Sequence, residues 1–122
     1  MLEAEGYGVM GAAFEVYNSM GNGFLEEVYQ QCMEIELEGR RIPHTCQQEL
    51  KLCYKNQPLR KTYIADMVAY DQIVIELKAV SALIPNHVAQ LMNYLKASHR
   101  SVGYLINFGQ PKQLEWRRIA LE

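Results

Sequence analysis

The chain has 122 residues, 49% hydrophobic and 21% charged, which fits one globular domain over residues 1–122 and excludes disorder, a collagen-like fibre or a low-complexity segment. Twelve Lys and Arg against fourteen Asp and Glu give a formal net charge of −2, so no overall basic field draws in nucleic acid and any such contact must be local. Three cysteines (Cys32, Cys46, Cys53) without a close pair, and no expected secretory leader, argue against a disulfide framework and for a reducing, cytoplasmic setting. No apolar run approaches the ~18–20 residues that cross a bilayer, so no membrane partner is expected. His44, His87, His99 and the thiols show no zinc-like spacing.

In chain order, Val9, Met10, Ala13, Phe14 and Tyr17 recur at helical spacing and predict a helix from Glu3 to Met20, ended by Gly21-Asn22-Gly23. A second helix is predicted from Phe24 to about Glu38, with Gly39 as its stop signal. Beyond Pro43 the period changes to two. Leu50, Leu52 and Tyr54 alternate with Glu49, Lys51 and Cys53; Asn56-Gln57-Pro58 marks a turn; Thr62 to Tyr70 and Ile73 to Val80 read as two further strands around a reversal at Asp71-Gln72. Pro85 opens a third helix whose stripe is Val88, Leu91, Met92 and Leu95, running to about Ser98. Ser101 to Phe108 and Leu114 to Leu121 complete the chain as a fourth strand and a fifth, edge strand.

The third strand carries the anomaly. Alternation puts Val74, Glu76, Lys78 and Val80 on one face and Ile73, Ile75, Leu77 and Ala79 on the other, so two charges share a face that the following helix must partly cover. A solvated Glu76–Lys78 ion pair is the simplest explanation. Asp66 is the other acid embedded among strand residues, and register decides whether it meets Glu76. A two-residue Asp71-Gln72 loop would set Asp66 opposite Leu77; a three-residue loop pairs either Ala69 with Ile73 and Asp66 with Glu76 or Tyr70 with Val74 and Asp66 with Lys78, so an odd loop or a bulge is expected. Two carboxylates that close need a proton, the lysine or a divalent cation between them, and Mg²⁺ suits oxygen ligands, with Mn²⁺ as a substitute.

Asp66 followed by Glu76-Leu77-Lys78 resembles the D-(x)n-ExK signature of the PD-(D/E)XK nuclease superfamily. Gly23-Phe24-Leu25-Glu26-Glu27-Val28-Tyr29 resembles the string for which the GxxExxY proteins of that superfamily are named. The segments Glu76 to Val80, His87 to Lys96 and Gly103 to Gly109 continue the likeness in order, and Gln90 with Tyr94 is similar to the QxxxY element of RecB-like nucleases. The first helix departs from the pattern, with Glu15-Val16-Tyr17 where such proteins often carry Glu-Val-His.

The resemblance implies an α/β fold with a restriction-endonuclease-like αβββαβ core: a mixed central sheet flanked by helices, with an extra N-terminal helix and a C-terminal strand. It also implies that Asp66, Glu76, the backbone carbonyl of Leu77 and Glu26 hold Mg²⁺, that Lys78 completes the catalytic set, and that Gln90 and Tyr94 position the phosphate. The implied reaction is phosphodiester hydrolysis of nucleic acid, with DNA as the expected substrate.

The residues leave alternatives open. On the helical wheel Leu25, Val28, Tyr29, Cys32 and Ile35 centre the apolar stripe and Glu26 falls on its shoulder with Met33 and Leu37; Glu26 either points toward the sheet or complements the helix N-terminus, closing a capping box on Gly23. His87 is either a substrate contact or a helix-start residue. The clusters Arg40-Arg41, Arg60-Lys61, Lys96, Arg100 and Arg117-Arg118 form a phosphate track only if they converge on the acids. The alternative function is a catalytically inactive nucleic-acid-binding or assembly module on the same fold. A homodimer would give so small a domain more surface to grip a duplex.

Overall fold

The change from helical to alternating periodicity at Pro43 separates two helices from the strands that they cover. The structure, a computed structural model, describes residues 1–122 as α1 (Glu3–Met20), α2 (Glu26–Gly39), β1 (His44–Tyr54), β2 (Gln57–Ala69), β3 (Ile73–Lys78), α3 (Pro85–Ala97), β4 (Val102–Asn107) and β5 (Glu115–Ala120). The strands form one sheet in the order β1-β2-β3-β4-β5, antiparallel except for β3 and β4, whose parallel pairing needs the crossover that α3 supplies. This is the mixed, helix-flanked sheet that the sequence predicts, with β5 at an edge. No helix is long and apolar enough to cross a membrane.

Both faces of the sheet are covered. Val9, Ala13 and Val16 of α1 and Tyr29, Met33 and Leu37 of α2 pack with Ile73, Ile75, Leu77 and Ile106 in one core. Leu91 and Leu95 of α3 pack with Val68, Val74 and Leu105 in the other. Each large apolar side chain of this kind contributes about 1.5–3 kcal/mol when fully buried, and β3 and β4 are apolar on both faces except where Glu76, Lys78 and Asn107 interrupt.

Several details differ from the sequence reading. Helix α2 begins at Glu26, and the stripe centred on Leu25 and Ile35 is wrong: both are 74% exposed, whereas Tyr29, Met33 and Leu37 are fully buried. Tyr29 causes this, because its ring stacks on Phe108 with centroids 4.5 Å apart and so fixes the rotation of α2. Phe14 of α1 is exposed, since that helix approaches the sheet through small residues such as Ala12 and Ala13. Strand β1 begins at His44, six residues before Leu50, because its first half is an edge whose outward positions are polar. The β1–β2 turn is Lys55-Asn56, both at positive φ (48° and 64°), the geometry that matches strand twist in a two-residue hairpin. Between β2 and β3 the register pairs Ala69 with Ile73 around the three residues Tyr70, Asp71 and Gln72.

Candidate active site

Glu26 owes its position to the turn before it. Gly23 lies at φ 111°, a conformation open to glycine, and leads into the first turn of α2. The Tyr29 hydroxyl donates to the Gly21 carbonyl (2.5 Å) and accepts from the Phe24 amide (3.3 Å), closing the turn onto the helix. Leu25 is the N-cap without a side-chain cap bond, so the capping box on Gly23 does not form. Because Met33 and Leu37 mark the buried face, Glu26 lies on the sheet side of α2 at its solvent-facing rim. Burial raises its pKa, the Asp66 carboxylate raises it further, and Lys78 opposes both.

Asp66 sits where the sheet loosens. The β2–β3 ladder ends at Met67 and Ile75, so Asp66 and Glu76 do not form a backbone pair; instead Asp66 Oδ2 accepts the Leu77 amide at 2.8 Å. The Gln30 side chain donates to the Asp66 carbonyl at 3.1 Å, tying α2 to the same point. On the other side, Cys46 pairs with Met67 and Gln48 with Ala65, leaving Gln47 opposite Asp66 without a ladder pair and at φ 53°. Both strands change facing here. Cys46 and Met67 pack in the α1–α2 core, yet Leu50 and Ala65 pack in the α3 core, although strict alternation would keep each pair on one side. Burial raises the pKa of Asp66, while the Leu77 amide, the Lys78 charge and the Gln47 side chain hold it back.

Glu76 and Lys78 emerge on the α3 face as alternation predicts and line one cavity of about 230 Å³ with Tyr63, His87, Gln90, Leu91, Tyr94 and Leu105. Burial pushes Glu76 up to about 7 against the lowering effects of Lys78 and the Asp66 backbone, and Glu26 adds a further upward push. Glu76 Oε1 is buried without a hydrogen-bond partner. On α3, Gln90 and Tyr94 reach the cavity from one helical face, and Tyr94 stacks on Tyr63 with centroids 4.1 Å apart and planes 3° from parallel. His87 Nδ1 accepts the Ile84 amide at 3.1 Å, so His87 caps α3 while its ring borders the cavity.

The end of β3 is pinned from β4. Asn107 is fully buried and accepts the Val80 and Gly109 amides through Oδ1 while Nδ2 donates to the Val80 carbonyl and to Glu115. The Phe108 amide donates to the Lys78 carbonyl at 2.9 Å. Gly109 packs so tightly that a Cβ there would lie 2.0 Å from the Val80 carbonyl oxygen.

Over residues 3–119 the sequence matches the family described as the PD-(D/E)XK nuclease superfamily. The chain belongs to that superfamily. Among solved structures it is similar to the crystal structure of SSO0001, with a TM-score of 0.62 and 20% identity over 78% of this chain, a likeness of fold. The chain spans 49% of that structure's length. No curated protein matches it.

PD-(D/E)XK nucleases use divalent metals, and the donors here suit a hard cation. Asp66 and Glu76 offer carboxylate oxygens, and the unpartnered Glu76 Oε1 is an acceptor that lacks a donor or ion. No three His, Cys, Asp or Glu side chains cluster closely enough to cage a metal by themselves. Mg²⁺ needs no such cage, since it keeps several waters and takes one or two carboxylates.

Lys78 is the one Lys or Arg that lines the Glu76 cavity. None of the other clustered Lys and Arg residues lines it; Arg40 pairs with Glu36, Arg118 bonds the Met1 carbonyl and the Tyr104 hydroxyl, and Arg117 bonds the neighbouring Trp116 carbonyl. Tyr17, at the position where the sequence departs from Glu-Val-His, donates its hydroxyl to the Gln110 carbonyl at 2.5 Å and anchors α1 to the β4–β5 loop. Sequence reasoning missed Gln47 and Tyr63. Gln47 carries no local sign of left-handed backbone, and Tyr63 reads as an ordinary inward residue of β2.

Proposed function

We propose that this protein hydrolyses phosphodiester bonds of nucleic acid in a Mg²⁺-dependent reaction, with DNA as substrate and Mn²⁺ as a working substitute. The observation that carries the reading is the shared cavity, in which Glu76 and Lys78 of β3 face Gln90 and Tyr94 of α3 while Asp66 holds the Leu77 amide beside them. The Gly23–Tyr29 string supports a GxxExxY type within the superfamily, because the Tyr29 hydroxyl closes the turn that contains Gly23 and leads directly into Glu26.

Asp66, Glu76 and the Leu77 carbonyl would hold the cation, with Glu26 completing the set directly or through water. When bound, the ion lowers the pKa of a water and offsets charge on the leaving oxygen. Lys78 presents a compact ammonium that holds the attacking water or a phosphoryl oxygen. Leu91 and Leu105 form an apolar wall that keeps the local dielectric low and strengthens the Lys78 charge. Gln90 and Tyr94 orient the phosphate. Glu76, with its pKa near 7, exchanges a proton close to neutrality and is ionised when a cation replaces that proton.

The test is Mg²⁺-dependent cleavage of DNA by purified wild type, Glu76→Gln and Lys78→Ala, with folding checked by thermal denaturation. Wild type should cut, and both variants should stay folded and lose cleavage; full cleavage by either variant overturns the assignment. A non-cleaving nucleic-acid-binding module is the second reading, favoured by the lack of a three-ligand cluster. DNA affinity without turnover in Mg²⁺ or Mn²⁺ would select it.

A further inference from the structure

Tyr63 stands in the same cavity as Glu76 and Lys78 and belongs to none of the motifs described above. Its side chain is only 9% exposed, and its hydroxyl is buried with no hydrogen-bond partner. A buried phenol normally finds a partner, because leaving one unpaired forfeits its hydrogen bonds to water. Here two orphaned polar atoms, Tyr63 Oη and Glu76 Oε1, belong to residues that line one cavity. They are chemically complementary. Tyr63 has an unused donor, the Glu76 carboxylate has an unused acceptor, and Lys78 brings three further donors. The Tyr63 and Lys78 donors suit an oxygen-rich ligand, while the Glu76 acceptor calls for a donor or a cation beside it.

The position of the phenol is set before any ligand arrives. Tyr63 stacks in parallel on Tyr94, so neither ring can turn without losing the stack, and Tyr94 is held by α3. Neighbouring Leu91 and Leu105 supply no competing acceptor side chain. A cavity of about 230 Å³ is large enough for a phosphoryl group.

We propose that Tyr63 is a substrate-contacting residue of this site, its hydroxyl donating to a non-bridging phosphate oxygen that Lys78 also binds, with the Tyr94 ring holding the phenol in place. The proposal deepens the phosphodiesterase reading and rests on it for the identity of the natural ligand.

Inorganic phosphate is the probe, followed in the presence of Mg²⁺ by chemical-shift titration of the full chain. Wild type should bind phosphate. Tyr63→Phe, which keeps the stack and deletes the hydroxyl, should weaken phosphate binding by roughly tenfold while Tm stays the same or rises. Tyr63→Leu should lose both phosphate affinity and thermal stability, because it also removes the stack. Equal phosphate affinity in wild type and Tyr63→Phe, or no phosphate binding by wild type, overturns the proposal. The two readings fail separately: phosphate binding that depends on Tyr63 in a protein that cuts no nucleic acid removes the nuclease reading and leaves the contact standing.

Discussion

Gln47 lies directly across from Asp66 at the one point where β1 and β2 exchange the residues they turn inward, and its backbone is left-handed there. A non-glycine residue in that conformation costs about 1–2 kcal/mol, so surrounding structure must hold it in place. Its side chain also lowers the Asp66 pKa. Gln47→Gly should therefore leave the protein as stable as wild type or stabilise it by about 1 kcal/mol. The same change should weaken Mn²⁺ binding by roughly tenfold, as loss of a group supporting a metal ligand does. Urea denaturation and Mn²⁺ titration by electron paramagnetic resonance measure the two effects; unchanged Mn²⁺ affinity would remove Gln47 from the site.

The Glu76 pKa of about 7 gives a pH dependence with a definite sign. Above its ordinary value of 4.5 the folded protein binds this proton more tightly than the unfolded chain, so without metal the stability falls as pH rises from about 4.5 to 7. The loss amounts to roughly 2–3 kcal/mol, and Glu76→Gln should flatten that slope and be the more stable protein at pH 8. Mg²⁺ affinity should move the other way, rising with pH through the same window because ion and proton compete. Denaturation midpoints measured across this range with and without Mg²⁺ check both signs.

Tyr29→Phe keeps the stack on Phe108 and deletes the two hydrogen bonds to the Gly21–Phe24 turn. A cost of about 1–2 kcal/mol is expected, together with faster amide exchange at Phe24 and a loss of cleavage larger than the stability change explains, because Glu26 follows that turn. Protection at Phe24 equal to wild type would contradict the role given to the hydroxyl.

Asn107→Ala should cost about 2–4 kcal/mol, since it leaves the Val80 and Gly109 amides without their acceptor and a buried gap behind them. Gly109→Ala should be at least as damaging, because the contact it creates is with backbone that cannot step aside. Guanidinium unfolding of the two variants tests this, and near-wild-type midpoints would refute the pinning of β3.

The sequence made β3 legible because its pattern is local: the alternation that separates Glu76 and Lys78 from Ile75 and Leu77 needs only the period of a strand. The three-residue loop followed from the requirement that Asp66 and Glu76 approach each other. The face of α2 was not legible, because a wheel weights Leu25 and Ile35 like Met33 and Leu37, and only the Tyr29–Phe108 contact, made across the chain, chooses between them. The reversal at Gln47 and Asp66 was hidden for a related reason. No glycine or asparagine marks it, and the continuous apolar run Met67-Val68-Ala69 that follows Asp66 gives no alternation to reveal a change of face. Tyr63 looked like any inward strand residue, since an orphaned hydroxyl is a property of its neighbours rather than of its own type.

Asn107 fastens the chain just beyond Lys78 to the most deeply buried strand of the sheet. Local opening of the strand bearing Glu76 and Lys78 must break these bonds, so its amides should be among the slowest to exchange. The Gly21–Phe24 turn, by contrast, is joined to α2 through the single Tyr29 hydroxyl. The strand that carries the two charges is thus braced from both directions, while the turn that leads to Glu26 hangs on one phenol.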